Sequence, residues 1–299
     1  NGKINTTFLY NEKLYIGGKF LIKTESSTRY NAAAFNHDGE ITEWNPSVFQ
    51  LPYSSSLPWE DDEDKTEIDV IKIKDNVIYL GGNYHTEGNG VRLLRNISAF
   101  DESGTLLDWR VSQTDRVNDL TLTNEDIYLI TQATGAEGTA RNKLYITNKT
   151  NPVDFFEPAI PADVNITSIT AESNDVYALG YDQNTSLLHI FKFYRGEIEQ
   201  TWLADQSSCS FRNPHAVHSS VAYKSRIFWG EDYRCYSDSG LKEYHPEKGR
   251  ALYPALREVS AISISNDHLI TAGIPSSYIT PGGVYSYRIY DLTQPLSNQ

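Results

Sequence analysis

Methionine is absent from all 299 residues, position 1 included, and cysteine occurs only twice. A chain with no Met at its head is expected to have lost its original start. Basic charge is also scarce: 26 Lys and Arg stand against 39 Asp and Glu, a net charge of −13 with a pI near 5.0. No Lys/Arg stripe exists to displace counterions, which argues against a nucleic-acid partner. No apolar run approaches the roughly 18 residues that cross a bilayer, so no transmembrane segment is expected, and no charged-then-apolar leader opens the chain. Long stretches with 3.6-residue periodicity are missing, as are Gly-x-Ser-x-Gly, a Ser-His-Asp order and a phosphate loop.

What is abundant is the vocabulary of pleated sheets. Aromatic residues make up 12%, 20 of them Tyr, among many Thr, Val and Ile. A short apolar-aromatic strand recurs six times: Leu14-Tyr15-Ile16-Gly17, Ile78-Tyr79-Leu80-Gly81, Ile127-Tyr128-Leu129-Ile130, Val176-Tyr177-Ala178-Leu179, Ile227-Phe228-Trp229-Gly230 and Leu269-Ile270-Thr271-Ala272. Before most copies stands a polar turn such as Asn11-Glu12-Lys13, Lys74-Asp75-Asn76 or Asn266-Asp267-His268, the mark of a hairpin. An alternating strand precedes each turn, and another follows each copy, as in Ala32-Ala33-Ala34-Phe35 and Ile97-Ser98-Ala99-Phe100. A fourth strand is marked by an aromatic after a Gly-containing turn: Gly39 to Trp44, Gly104 to Trp109 and Gly196 to Trp202.

Four strands in a period of roughly 45 to 50 residues predict an all-β β-propeller, because each small sheet buries its faces only against the next. The expectation is a single domain over 1–299, of about six four-stranded blades near 1–49, 68–113, 114–161, 162–206, 207–249 and 250–299, with a loop inserted at 50–67. A seventh blade is the alternative, since the last unit has only Asp291 to Gln299 for its fourth strand.

The run Tyr15-Ile16-Gly17-Gly18-Lys19-Phe20, then Arg29-Tyr30-Asn31-Ala32-Ala33-Ala34-Phe35, then Gly39 through Trp44-Asn45-Pro46, resembles the delta-60 type of propeller repeat. The second unit is similar through Gly81-Gly82-Asn83-Tyr84, Arg95-Asn96 and Trp109, without the Pro; beyond residue 113 only Arg141-Asn142 survives. The resemblance covers about a third of the chain and implies a fold, not an activity. Such repeats occur mostly in large bacterial extracellular proteins, and fungal surface propellers of the cell-polarity marker type are similar.

Cys209 and Cys235 fall inside one predicted blade, where a disulfide is expected; two unpaired buried thiols are the alternative. A bridge over a loop of that size stabilises by roughly 3 to 4 kcal/mol and belongs to an oxidising compartment. The resulting expectation is a secreted, periplasmic or cell-surface protein. Asn-x-Ser/Thr triplets at Asn5, Asn96, Asn148, Asn165 and Asn184 are compatible with it but arise by chance in a chain of this composition.

Because strands alternate in direction, the connections between second and third strands share a face with those between blades. Long polar loops and the 50–67 insertion mark that face as the working surface. The insertion combines aromatic platforms, Tyr53 and Trp59, with the acidic run holding Asp61, Asp62 and Asp64, and these five are the candidate binding residues. Calcium is the ion such carboxylates would suit, but the run lacks the Asp-x-Asp-x-Asp-Gly spacing, so no cofactor and no metal are expected. His215 and His218 near Cys209 lack a third ligand, and Arg29, Arg95 and Arg141 read as structural rather than as an anion ring. The first functional expectation is a recognition or scaffold propeller binding a protein or glycan through the insertion face. The alternative is a glycan-active propeller enzyme, a glycoside hydrolase or lyase, with channel-facing carboxylates such as Asp69, Asp119 or Asp163.

Overall fold

In a computed structural model of the chain, every regular element is a β-strand among the described residues, which are 2–25, 27–46, 48–49, 66–88, 92–109, 111, 115–134, 140–152, 155–185, 187–204, 217–231, 241–245, 249–253, 256–275 and 286–293. The chain divides into two compact units, Asn1–Glu157 and Pro158–Gln299.

Unit 1 holds three antiparallel sheets. The first is β1 (Lys3–Tyr10), β2 (Lys13–Lys23) and β3 (Thr28–Phe35). The second is β4 (Val48–Phe49), β5 (Glu67–Lys74), β6 (Val77–Gly88) and β7 (Arg92–Phe100), and the third is β8 (Arg116–Leu122), β9 (Asp126–Thr134) and β10 (Ala140–Asn148). Unit 2 likewise holds three. They are β11 (Val164–Glu172), β12 (Asp175–Asp182), β13 (Leu188–Tyr194) and β14 (Glu197–Ala204); β15 (Val217–Tyr223), β16 (Arg226–Glu231), β17 (Leu241–His245) and β18 (Gly249–Tyr253); and β19 (Leu256–Ser265), β20 (His268–Pro275) and β21 (Ser286–Asp291).

The hairpins form where the polar turns predict them. Two-residue connections at Asn11-Glu12, Asp75-Asn76 and Asn266-Asp267 have positive φ at both residues, the I′ geometry whose twist matches the flanking strands. Lys224-Ser225 makes the same turn without a sequence cue.

The fourth strand is the main departure in unit 1. Ile41, Leu106 and Phe156 each make a single bridge, to Phe35, Phe100 and Ile146, in place of a ladder. In the first sheet the reason is visible: Arg29 donates from Nη2 to the Thr42 carbonyl (2.9 Å) and from Nε to the Trp44 carbonyl (3.1 Å), satisfying acceptors a ladder would otherwise take, and Pro46 has no N–H to offer. Complete fourth strands occur in unit 2, where β14 pairs β13 and β18 pairs β17. Arg29 therefore ties its own unit together rather than linking neighbours, and it is 6% exposed.

The closing tryptophans pack as large rings between sheets. Trp44 stands edge-on to Tyr15 at 5.1 Å within a cluster that includes Ile68, Ile71 and Leu80 of the second sheet. Trp109 meets Tyr79 at 5.5 Å and joins Val117, Leu120 and Leu129 of the third. Each such pair contributes roughly 0.5–1.5 kcal/mol beyond its buried area. Gly17 and Gly81 explain the repeated glycine of the second strand: a Cβ there would lie 2.6 Å from Ile68 Cγ2 and 2.7 Å from Val117 Cγ1, side chains of the following sheet. The first sheet differs at its opposite face, where Ile4, Leu9 and Leu14 are exposed although Ile68, Ile78, Val117 and Ile127, at corresponding places, are buried.

Candidate functional site

One irregularity recurs in every sheet. The first strand carries a β-bulge near its start that leaves a residue without a partner across the ladder: Asn5, Asp69 and Asn118 in unit 1, Thr167, His218 and Ser260 in unit 2, where β19 has a second bulge at Arg257. All six are polar, and each follows an Ile or Val. Bulges concentrate next to functional sites because the extra residue re-aims a side chain.

Within unit 1 the first strands β1, β5 and β8 run beside one another, and the bulge side chains join them. Asn5 donates from Nδ2 to the Ile68 carbonyl (3.1 Å), Glu67 Oε2 (3.3 Å) and Asp69 Oδ1 (3.3 Å). Arg116 grips Asp69 with two hydrogen bonds, Nε to Oδ2 and Nη2 to Oδ1, both 2.8 Å, and its Nη2 also donates to Glu67 Oε1. The side chains of Asp69 and Glu67 are 12% and 16% exposed and that of Arg116 is 35% exposed, so the network lies at the boundary of core and solvent. Two carboxylates against one guanidinium leave it one negative charge in excess. Burial pushes the Asp69 carboxyl above the ordinary carboxylate value, and the hydrogen bonds and charge of Arg116 oppose that rise.

In the third sheet Asn118 Nδ2 donates to Asn142 Oδ1 (3.1 Å), and Asp119 Oδ1 accepts from the Leu120 N–H (2.8 Å). Unit 2 repeats the joining device with hydroxyls. Thr167 Oγ1 accepts from the Val217 N–H (3.4 Å), Ser168 and Ser220 share a hydrogen bond (2.8 Å), and Ser219 Oγ accepts from the Ile262 N–H (3.3 Å). Asp163 accepts from Asn184 Nδ2 (3.3 Å).

Of the three carboxylates named from the sequence, Asp69 shares a guanidinium with a second carboxylate, Glu67, and Asp163 is linked through Asn184 to Asp182. Tyr53, Trp59, Asp61, Asp62 and Asp64 lie outside the described residues, as do Cys209, Cys235 and His215. His218 is described by its backbone, at the bulge of β15, and Arg95 likewise by its backbone. The residues that sequence reasoning missed are Asn5, Glu67 and Arg116. A signal for the bulges was present: in each unit the bulge residue stands twelve positions before the strand-two position of Gly17, at 5 and 17, 69 and 81, 118 and 130, 167 and 179, 218 and 230, and 260 and 272.

The frame that carries these bulges is of propeller type. No protein-family model matches the sequence, and none of the curated proteins does. Among solved structures the chain is similar, over 97% of its length, to a quinonprotein alcohol dehydrogenase-like protein from Bacteroides thetaiotaomicron, with a TM-score of 0.58 and 12% identity. It spans 64% of that protein's chain. It is also similar to a chain of a nidogen/laminin complex (TM-score 0.48, 12% identity, 90% and 83% of the two chains). A third likeness is to regucalcin, a calcium-binding protein, from Agrobacterium tumefaciens (TM-score 0.47, 13% identity, 86% and 81%). At these identities the likeness speaks for the fold alone.

Proposed function

We propose that this chain is a recognition or scaffold β-propeller of the delta-60 type, on a plan of six four-stranded blades, displayed outside the cell. Its partner, a protein or a glycan, docks on the face where the first strands begin. The observation that carries the reading is the bulged start of the first strands: polar side chains held on rigid strands, with their charges already cross-linked by Asn5 and Arg116. A carboxylate gripped by a guanidinium is suited to holding shape rather than to trading protons. Glu67, the last residue of the 50–67 insertion, is also the first residue of β5.

The test is deletion of residues 51–65, sparing Thr66 and the Glu67 that pairs with Arg116. Pull-down from the native cell surface should lose its specific partner while the melting temperature of the bait stays within a degree or so of the parent's. An unchanged set of captured partners would move the docking face elsewhere.

A glycan-active enzyme is the second reading, and one observation favours it: Asp69 and Glu67 stand side by side on Arg116, and burial raises the Asp69 carboxyl from its ordinary value, the direction a general acid needs. Turnover of any glycan by the parent, abolished in Asp69→Asn, would decide for this reading. No turnover across a glycan panel leaves recognition.

A further inference from the structure

Unit 2 contains a surface cavity of about 400 Å³ lined by Tyr177, Lys192, Gln200, Trp202, Lys224, Ser225 and His245. It opens between the sheet β11–β14 and the sheet β15–β18, beside the β15–β16 hairpin turn at Lys224-Ser225. Its size is at the lower end of the range of roughly 300–1,000 Å³ for small-molecule sites.

The repeat shows why the space exists. In the first two sheets the strand-two tyrosine and the closing tryptophan meet edge-on, Tyr15 with Trp44 and Tyr79 with Trp109, and both tryptophans are buried. The corresponding residues of the fourth sheet are Tyr177 and Trp202. There Trp202 turns to Tyr244 of the next sheet, 5.5 Å away and tilted by 47°, and both it and Tyr177 line the cavity. Trp202 is the closing tryptophan left partly exposed.

The register completes the wall. Tyr177, Lys192 and Gln200 stand directly opposite one another on β12, β13 and β14, a single row across the sheet, with Trp202 two residues further along β14. Lys192 Nζ is held between Glu199 (2.8 Å) and Asp175 (3.2 Å). The Lys224 Nζ faces Asp267 at 3.4 Å and lies 4.7 Å from the centre of the Tyr223 ring, and Glu172 accepts from the backbone N–H groups of Lys224 and Ser225. Each lysine is therefore matched by a carboxylate, and an anion entering the cavity would have to displace one.

Beside the His245 imidazole, the lining offers a ligand an aromatic platform, an amide, a hydroxyl and a phenol. The phenol of Tyr177 is pushed up to about 12, mainly by burial, so it stays a donor. Such a set matches C–H faces alternating with hydroxyls. We infer that this cavity is a binding site for a neutral saccharide of one or two rings, with Trp202 as its stacking platform and Gln200 as its principal hydrogen-bonding group.

The experiment uses the full chain with maltose, cellobiose and lactose as neutral probes and sialyllactose as the charged one. Binding is read by saturation-transfer NMR and by calorimetry. Saturable binding of a neutral disaccharide is expected, weakened about tenfold or more in both Trp202→Ala and Gln200→Ala and unaltered in Lys143→Ala, whose ion pair with Glu157 lies in the other unit. Gln200 is exposed, so its variant keeps the test valid if loss of the Trp202 ring disturbs folding. Binding that survives both substitutions, binding of sialyllactose alone, or no binding of any probe would overturn the inference.

Discussion

At the scale of single residues, the Asp69–Arg116–Glu67 network is where charge and burial compete. A carboxyl whose pKa is raised by folding takes up protons more readily folded than unfolded, so the stability it contributes is present at low pH and lost as pH rises through its folded value. Removing the opposing guanidinium deepens that loss. Arg116→Ala should therefore be less stable than the parent at pH 7 by about 1–2 kcal/mol, a figure set between the exposed and buried limits because Arg116 is 35% exposed. The gap should narrow toward pH 4, as urea denaturation at the two pH values would show; a constant gap would mean that Arg116 acts through packing alone. The same network occupies the amide of Asn5, whose triplet reads as a glycan acceptor in the sequence but whose Nδ2 is spent on Glu67, Ile68 and Asp69.

At the scale of elements, hairpin and glycine carry the repeat. Glu12 holds φ at 59° in its turn, a conformation that costs an ordinary side chain roughly 1 kcal/mol, so Glu12→Gly should raise stability by about that amount in chemical denaturation. Gly81→Ala should do the reverse, costing about 1–3 kcal/mol, because its Cβ would stand 2.7 Å from both Val117 Cγ1 and Val70 Cγ1. If Gly81→Ala melts with the parent, the approach of the third sheet is looser than the packing implies. These elements were legible because turns and close approaches select residue types locally: Asn11-Glu12, Asp75-Asn76, Gly17, Gly81, Trp44 and Trp109 all declare themselves. The single bridge that stands in for a fourth-strand ladder in the first sheet was not, since the side chain of Arg29 takes that ladder's acceptors and no periodicity records it. The Asp69–Arg116 contact was hidden for another reason. It spans 47 positions, and the bulge at Asp69 breaks the two-residue alternation that would have shown which way the side chain points.

At the scale of the whole chain, the net charge is −13, and ion pairs exposed on both sides among the described residues, such as Lys143–Glu157 and Lys224–Asp267, offset it only weakly. Self-repulsion should then outweigh surface pairing. Raising ionic strength from about 0.01 to 0.15 M, which shortens the screening length from roughly 30 to 8 Å, should raise the melting temperature. A falling melting temperature would instead give the ion pairs the larger share. Each bulge leaves one backbone position without a partner across the ladder, so Asn5, Asp69, Asn118, Thr167, His218, Arg257 and Ser260 stand outside the pairing that fixes register. The register of these sheets is therefore written by the paired positions alone, and the unpaired ones are free to spell out links between neighbouring strands, as Asn5 and Asp69 do.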